Sequence, residues 1–222
     1  MPAVLEWGLR DYSESLDAMR ELVRARRAGV VDDSLVLVEH PPVVTVGVEG
    51  DDGSAATTGL PVVNVERGGR ATYHGPGQLV GYPIVDLTAR GRDVRRFVHE
   101  VEEIVVRALA GFGVTAGHVK GRRGVWVDGE RKIASIGVAV DHWVTFHGFA
   151  LNVDPDLSAF ERFHPCGFSG SVMTSVSQEA GRPVRVSEVA PRVVDAWNEL
   201  FSVPTVLSTP DPVSAGTPSA RA

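Results

Sequence analysis

The hydrophobic and polar positions of this chain recur with two different periods, and the switches between them mark out its elements. Between positions 11 and 27, Leu16, Met19, Leu22 and Val23 fall on one face, predicting an amphipathic helix that ends in basic residues. Phe97, Val101, Ile104, Val105 and Leu109 predict a second helix over 92–110, with Gly111 after its end. Val189, Val193, Val194, Trp197 and Leu200 predict a third over 187–201. Short β-type runs lie between: 4–9, 34–40 (halted by Pro41 and Pro42), 43–48, 62–66 and 79–87, where Pro83 points to an edge strand or an irregular ladder. The polar stretch 49–61 reads as a mobile loop. Runs at 125–127 and 131–140 flank Asp128-Gly129, a dipeptide suited to a type I′ hairpin, and 143–153 is the next strand.

This order predicts an α+β fold: a mixed, largely antiparallel sheet with helices packed on it, rather than a doubly wound parallel one. Residues 1–203 are expected to make one domain, and 204–222, with four prolines among Ser, Thr and Ala, to be disordered.

Composition narrows the class. At 222 residues, 43% hydrophobic and 23% charged, the chain has the balance of a globular protein. A net charge of −6 argues against a dedicated nucleic-acid binder. The opening residues carry neither a basic nor an apolar leader, and no apolar run is long enough to cross a bilayer. One cysteine cannot form an internal disulfide, which fits a reducing compartment, and a cytoplasmic location is expected. Of the 22 basic residues only Lys120 and Lys132 are lysines, so a lysine here is not surface filler.

Candidate chemistry concentrates in two places. The stretch 67–83, R-G-G-R-A-T-Y-H-G-P-G-Q-L-V-G-Y-P, has too many glycines and prolines for a helix and suits close approach of backbone to a ligand; a plain hairpin corner is the alternative. The single thiol, Cys166, lies in F-H-P-C-G-F, where a turn would expose it as a nucleophile; a buried filler cysteine is the alternative. With a reference pKa of about 8.5, such a thiol needs a neighbour to hold it as thiolate. His164, His74, His147 and Lys132 are all candidates, and the sequence alone does not choose among them. There is no P-loop and no H-x-x-x-H or C-x-x-C spacing. His142 and His147, five apart, are expected to face opposite sides of the sheet, and no metal site is expected.

Four blocks, taken together, resemble the octanoyltransferase family of lipoate biosynthesis. They are R-G-G-R-A-T-Y-H-G-P-G-Q-L-V-G-Y-P-I, G-E-R-K-I-A-S-I-G-V, F-H-G-F-A-L-N-V and H-P-C-G, in that order over roughly 67–166. The resemblance implies the fold of biotin and lipoate protein ligases. It also implies transfer of octanoyl from an acyl carrier protein to a lysine of a lipoyl domain, without ATP or another cofactor. The implied acceptors are the lipoyl domains of 2-oxoacid dehydrogenase complexes and the H protein of glycine cleavage, with no nucleic acid and no membrane involved. Carried over position by position, Cys166 becomes the acylated nucleophile and Lys132 its activating partner. Arg67, Gly68, Gly69, Arg70, Ala71, Thr72, Tyr73, His74, Ser135, Ile136, Gly137, Gly148, Phe149 and Ala150 become the lining of the acyl site. Acidic partners would call for a basic surface, with Arg67, Arg70, Arg95, Arg96, Lys120, Arg122 and Arg123 as candidates. An ATP-dependent lipoate or biotin ligase and a non-catalytic acyl-carrier binding module are the competing readings.

Overall fold

A computed structural model of the chain describes residues 2–162 and 170–202. The sequence-predicted tail over 204–222 lies outside them, as do His164 and Cys166.

Among these residues the chain forms strands β1 (Ala3–Leu9), β2 (Ser34–Glu39), β3 (Val43–Val46), β4 (Val62–Asn64), β5 (Ala71–His74), β6 (Gln78–Ile84), β7 (Ala116–Val119), β8 (Arg122–Val127), β9 (Arg131–Asp141) and β10 (Val144–Asn152). The helices are α1 (Tyr12–Arg27), α2 (Val94–Ala110), α3 (Val176–Ala180) and α4 (Val186–Phe201). A seven-stranded sheet has the order β1-β2-β6-β10-β9-β8-β7, and a small sheet the order β4-β3-β5. Pairing is antiparallel except between β1 and β2 and between β3 and β4. This is the mixed, largely antiparallel α+β architecture that the hydrophobic pattern predicts.

The period-2 pattern explains how both faces of the large sheet are covered. Leu35 and Leu37 of β2 and Leu79 of β6 point to one side, where they meet Phe97, Val101 and Ile104 of α2 and Val189, Val193 and Trp197 of α4. Val36, Val38, Val80, Tyr82 and Ile84 point to the other, against Leu16, Met19 and Val23 of α1. The Asp11 carboxylate caps α1 by accepting from the amides of Ser13 and Glu14, while Arg24, Arg26 and Arg27 occupy its last turn. No helix of the described residues is long and apolar enough to cross a membrane.

The structure sharpens two expectations. Of the two readings of Pro83, the irregular ladder holds and the edge strand does not, because β6 lies inside the sheet, between β2 and β10. The ladder tolerates it because regular β6–β10 pairing stops at Gly81, opposite Phe149. Beyond that point the Thr145 hydroxyl donates to the Pro83 carbonyl (2.7 Å) and accepts from the Val85 amide (3.0 Å). The loop over 49–61, read as a mobile loop, contains a 3-10 turn (Ser54–Thr58) led in by the Asp51 carboxylate, which accepts from the amides of Gly53 and Ala55. The Asp128-Gly129 hairpin forms as expected. Both residues have positive φ (51° and 73°), and the Glu130 amide donates to the Val127 carbonyl at 3.0 Å.

Candidate active site

Lys132 is the second residue of β9, opposite Trp126 of β8, and is only 3% exposed. Its ammonium lies 5.7 Å from the centre of the Trp126 ring. The side chain can lie across β8 because residue 124 has no Cβ. A Cβ there would sit 2.7 Å from Lys132 Cε and 2.4 Å from the Ala134 carbonyl oxygen, and the backbone has φ +109°. Gly124→Ala is therefore expected to cost about 1–3 kcal/mol through backbone strain and to displace Lys132. Thermal unfolding would show a fall of several degrees; a Tm within about 1 °C of the parent would mean that β8 reroutes freely.

Beside Lys132, a cleft of about 260 Å³ is lined by Glu49, Gly69, Arg70, Gly121, Arg122, Arg123 and Ile136. A second cleft, about 490 Å³, runs between α2 and the glycine-rich segment, with Val94, Val98, Ile136 and Val138 as apolar walls and Arg95 and Arg123 among its lining residues. Behind Ile136 is a cavity of about 30 Å³, close to the share of liquid volume held by one water. Arg67, Thr72, His74, Ser135, Ile136, Gly137, Gly148, Phe149 and Ala150 line it, together with Tyr12, Val80, Tyr82 and His147.

Most of the sequence-predicted site residues thus gather around Ile136. Gly68 lines the larger cleft, and Gly69 and Arg70 line the smaller one. Ala71 and Tyr73 face the other way on β5, into the apolar cluster of the small sheet, where the Tyr73 ring meets Phe160 edge-on at 5.4 Å. The alternation of β5 dictates this, since Thr72 and His74 take the cavity side. Arg67 is not a surface cation: it is 6% exposed and turned inward.

Arg67 begins a chain of hydrogen bonds through the site. Its Nη2 donates to the carbonyl and to Oγ1 of Thr45 (both 2.8 Å), and its Nη1 to the carbonyls of Gly68 and Arg70. Thr45 Oγ1 lies 3.3 Å from His74 Nε2, and His74 Nδ1 lies 2.8 Å from Gln78 Oε1. The amide oxygen can only accept, so Nδ1 carries the ring proton and the Thr45 hydroxyl donates to Nε2. Gln78 Nε2 then donates to Asn152 Oδ1 (2.9 Å), Asn152 Nδ2 to the Thr174 carbonyl (3.0 Å), and the Thr174 amide to the Lys132 carbonyl (3.0 Å). Every member is buried. Burial, reinforced by the nearby His40 and Arg67, holds the His74 pKa well below the ordinary value, so this ring is neutral.

His147 is unusual in another way. Its backbone is left-handed (φ 56°), a rare state for a residue with a Cβ, and its side chain is almost fully buried beside the cavity. Its amide donates to Met19 Sδ at 3.2 Å, and Nε2 stands 3.6 Å from a Glu66 carboxylate oxygen. Burial, with the Arg67 charge, pulls its pKa down to about 4. The sequence offered no signal for Tyr12 or Tyr82. Tyr12 sits at a helix start and Tyr82 reads as an ordinary strand residue, yet both line the cavity wall. Burial pushes the Tyr12 pKa up to about 12 and that of Tyr82 well above its usual value. Tyr82 Oη also bonds His40 Nε2 (2.8 Å).

A mixed sheet covered by helices on both faces, with a buried lysine at a cleft and a glycine-rich wall, is the fold of the lipoate and biotin protein ligases. The lipoate-protein ligase A structure solved with ATP superposes with a TM-score of 0.76 at 19% identity, over 90% of this chain and 85% of that one. The Aquifex aeolicus biotin protein ligase with biotin and ATP gives 0.55 at 13% identity, over 90% and 70%. The family model for the lipoyl protein ligase A/B catalytic domain matches residues 11–198, and the chain belongs to that family. Within it, the chain is 46% identical over 185 residues to the octanoyltransferase of Geobacter sulfurreducens, covering 83% of this chain and 78% of that one, and is an acyltransferase.

Proposed function

We propose that the chain transfers an octanoyl group from octanoyl-acyl carrier protein to a lysine of a lipoyl domain, through a thioester on Cys166. The observation that carries this reading is Lys132, one of two lysines in the chain, buried where a cleft with three arginines in its lining begins. Cys166 lies outside the described residues, and its role comes from the H-P-C-G block and the 46% identity to an octanoyltransferase.

In the first step the Cys166 thiolate attacks the thioester carbonyl of the donor; the new C–S bond forms as the carrier's thiolate departs and is protonated. In the second, the acceptor lysine amine attacks the Cys166 thioester, an amide forms, and Cys166 leaves as thiolate while the amine's proton passes to a base. Lys132 serves both steps, giving a proton to the first leaving thiolate and taking one from the acceptor amine. The alkyl tail runs along β9 past Ser135–Gly137, and its entry widens the water-sized cavity. Donor and acceptor are acidic proteins in this reading, and Arg70, Arg95 and Arg122 face them from the cleft linings. Arg123 is partly neutralised by Glu49 (2.8 Å), and Arg96 by Glu100 (2.9 Å).

Intact-mass spectrometry after mixing the protein with octanoyl-acyl carrier protein, without ATP, tests the reading. An added octanoyl mass is expected, absent from Cys166→Ala. The solved ATP-bound relative makes the ligase the alternative: transfer from free octanoate and ATP that survives Cys166→Ala would establish it instead.

A further inference from the structure

Away from the clefts, His99 and Glu102 stand at i and i+3 on α2 and so share one face of the helix. Strand β7 brings His118 beside them. One ligating atom from each of the three lies within 4.8 Å of the other two. The imidazoles of His99 and His118 are 4.3 Å apart, centre to centre, and both residues are exposed. Glu102 is buried beneath them.

We infer that His99, Glu102 and His118 form a site for a divalent transition-metal ion of the zinc class. Two imidazole nitrogens and one carboxylate oxygen, with room for water on the exposed side, make a donor set that Zn²⁺ takes readily. Tetrahedral zinc holds its ligand atoms roughly 3.3 Å apart, so small rotations of two surface imidazoles close the set. The carboxylate is oriented beforehand. Glu102 Oε1 accepts from the Gly124 amide (3.1 Å), leaving Oε2, now 2.8 Å from His118 Nδ1, to face the histidines. A backbone donor behind a ligating carboxylate is the outer support that metal sites use to fix their ligands. Glu103, whose Oε2 lies 3.8 Å from His118 Nε2, adds negative charge at the rim. Motif spacing hides the site, because His118 follows Glu102 by a helix end, a turn and part of a strand. The bound ion would clamp α2 to the β7–β8 hairpin, whose residue 124 packs on Lys132.

The test uses the full chain as Cys166→Ser, which removes the thiol as a competing ligand, titrated with Co²⁺ and then Zn²⁺. One equivalent of Co²⁺ is expected to produce visible d–d bands, discharged by one equivalent of Zn²⁺. His118→Ala and, separately, the exposed His99→Gln should each weaken binding at least roughly tenfold. If His118→Ala does not fold, His99→Gln carries the result. Absence of saturable binding, or binding unchanged in the folded variants, would overturn the site.

Discussion

Replacing Lys132 with methionine is expected to slow octanoyl transfer about 10²- to 10⁴-fold, the usual worth of one positioned proton donor and acceptor. Methionine keeps an unbranched stem across Gly124 and against Trp126, so packing survives while the ammonium is lost. The fold should be unchanged by circular dichroism, and the loss should fall on kcat rather than on KM for the donor. Arginine at the same position should not restore the rate, because a guanidinium cannot release its proton in the second step. Steady-state kinetics of the two variants decide the matter. A methionine variant within tenfold of the parent would remove Lys132 from the chemistry.

Mild acid should unfold this protein, through its histidines. His40, His74 and His147 are buried and held neutral, each with a pKa lowered chiefly by burial. An unfolded chain takes up protons at these positions below about pH 6.5, whereas the folded chain resists, so falling pH favours unfolding. The stability is intact above pH 6.5 and declines as pH drops toward the folded values. For His147, whose folded pKa is about 4, the loss by pH 4 is about 3 kcal/mol at 1.36 kcal/mol per unit. Three such groups give a slope of up to about 4 kcal/mol per pH unit within the window. Urea denaturation at pH 7.5, 6 and 5 should show the decline, and His147→Asn, whose side chain tolerates positive φ, should flatten it by about one proton. Equal stability at pH 7.5 and 5 would contradict the neutral assignment.

The elements were legible where burial imposes a period. Helices α1, α2 and α4 follow from the apolar stripes that meet the sheet, and β2, β6 and β10 from runs buried on both faces. Strand β7 (A-G-H-V) was missed because it is a short edge strand, half exposed and without an apolar face to display. For Pro83 the pattern left an edge strand and an irregular ladder open, and the second holds because a threonine hydroxyl on the neighbouring strand supplies bonds that no local pattern announces. In the site, the residue types of the glycine-rich block point to close backbone approach or a plain hairpin corner, and Lys132 is one of four candidate partners until the resemblance singles it out. Tyr12, Tyr82 and the inward course of Arg67 arise from contacts between distant segments, such as the bond from Arg67 to Thr45, 22 residues away. Ala71 and Tyr73 sit in a block the resemblance assigns whole to the acyl site, while strand alternation sends them to the far side.

The hydrogen-bonded chain from Arg67 to Lys132 has a direction: each side chain gives a proton forward and receives one from behind. Shape is therefore not enough to replace a member. Asparagine at 152 and aspartate have nearly the same outline, but aspartate has nothing to offer the Thr174 carbonyl, and glutamate at 78 would face Asn152 oxygen to oxygen. A change at one link is sound only if its neighbour changes grammar with it. This strip of the interior can thus drift only by paired substitutions, while the leucines and valines around it exchange one at a time.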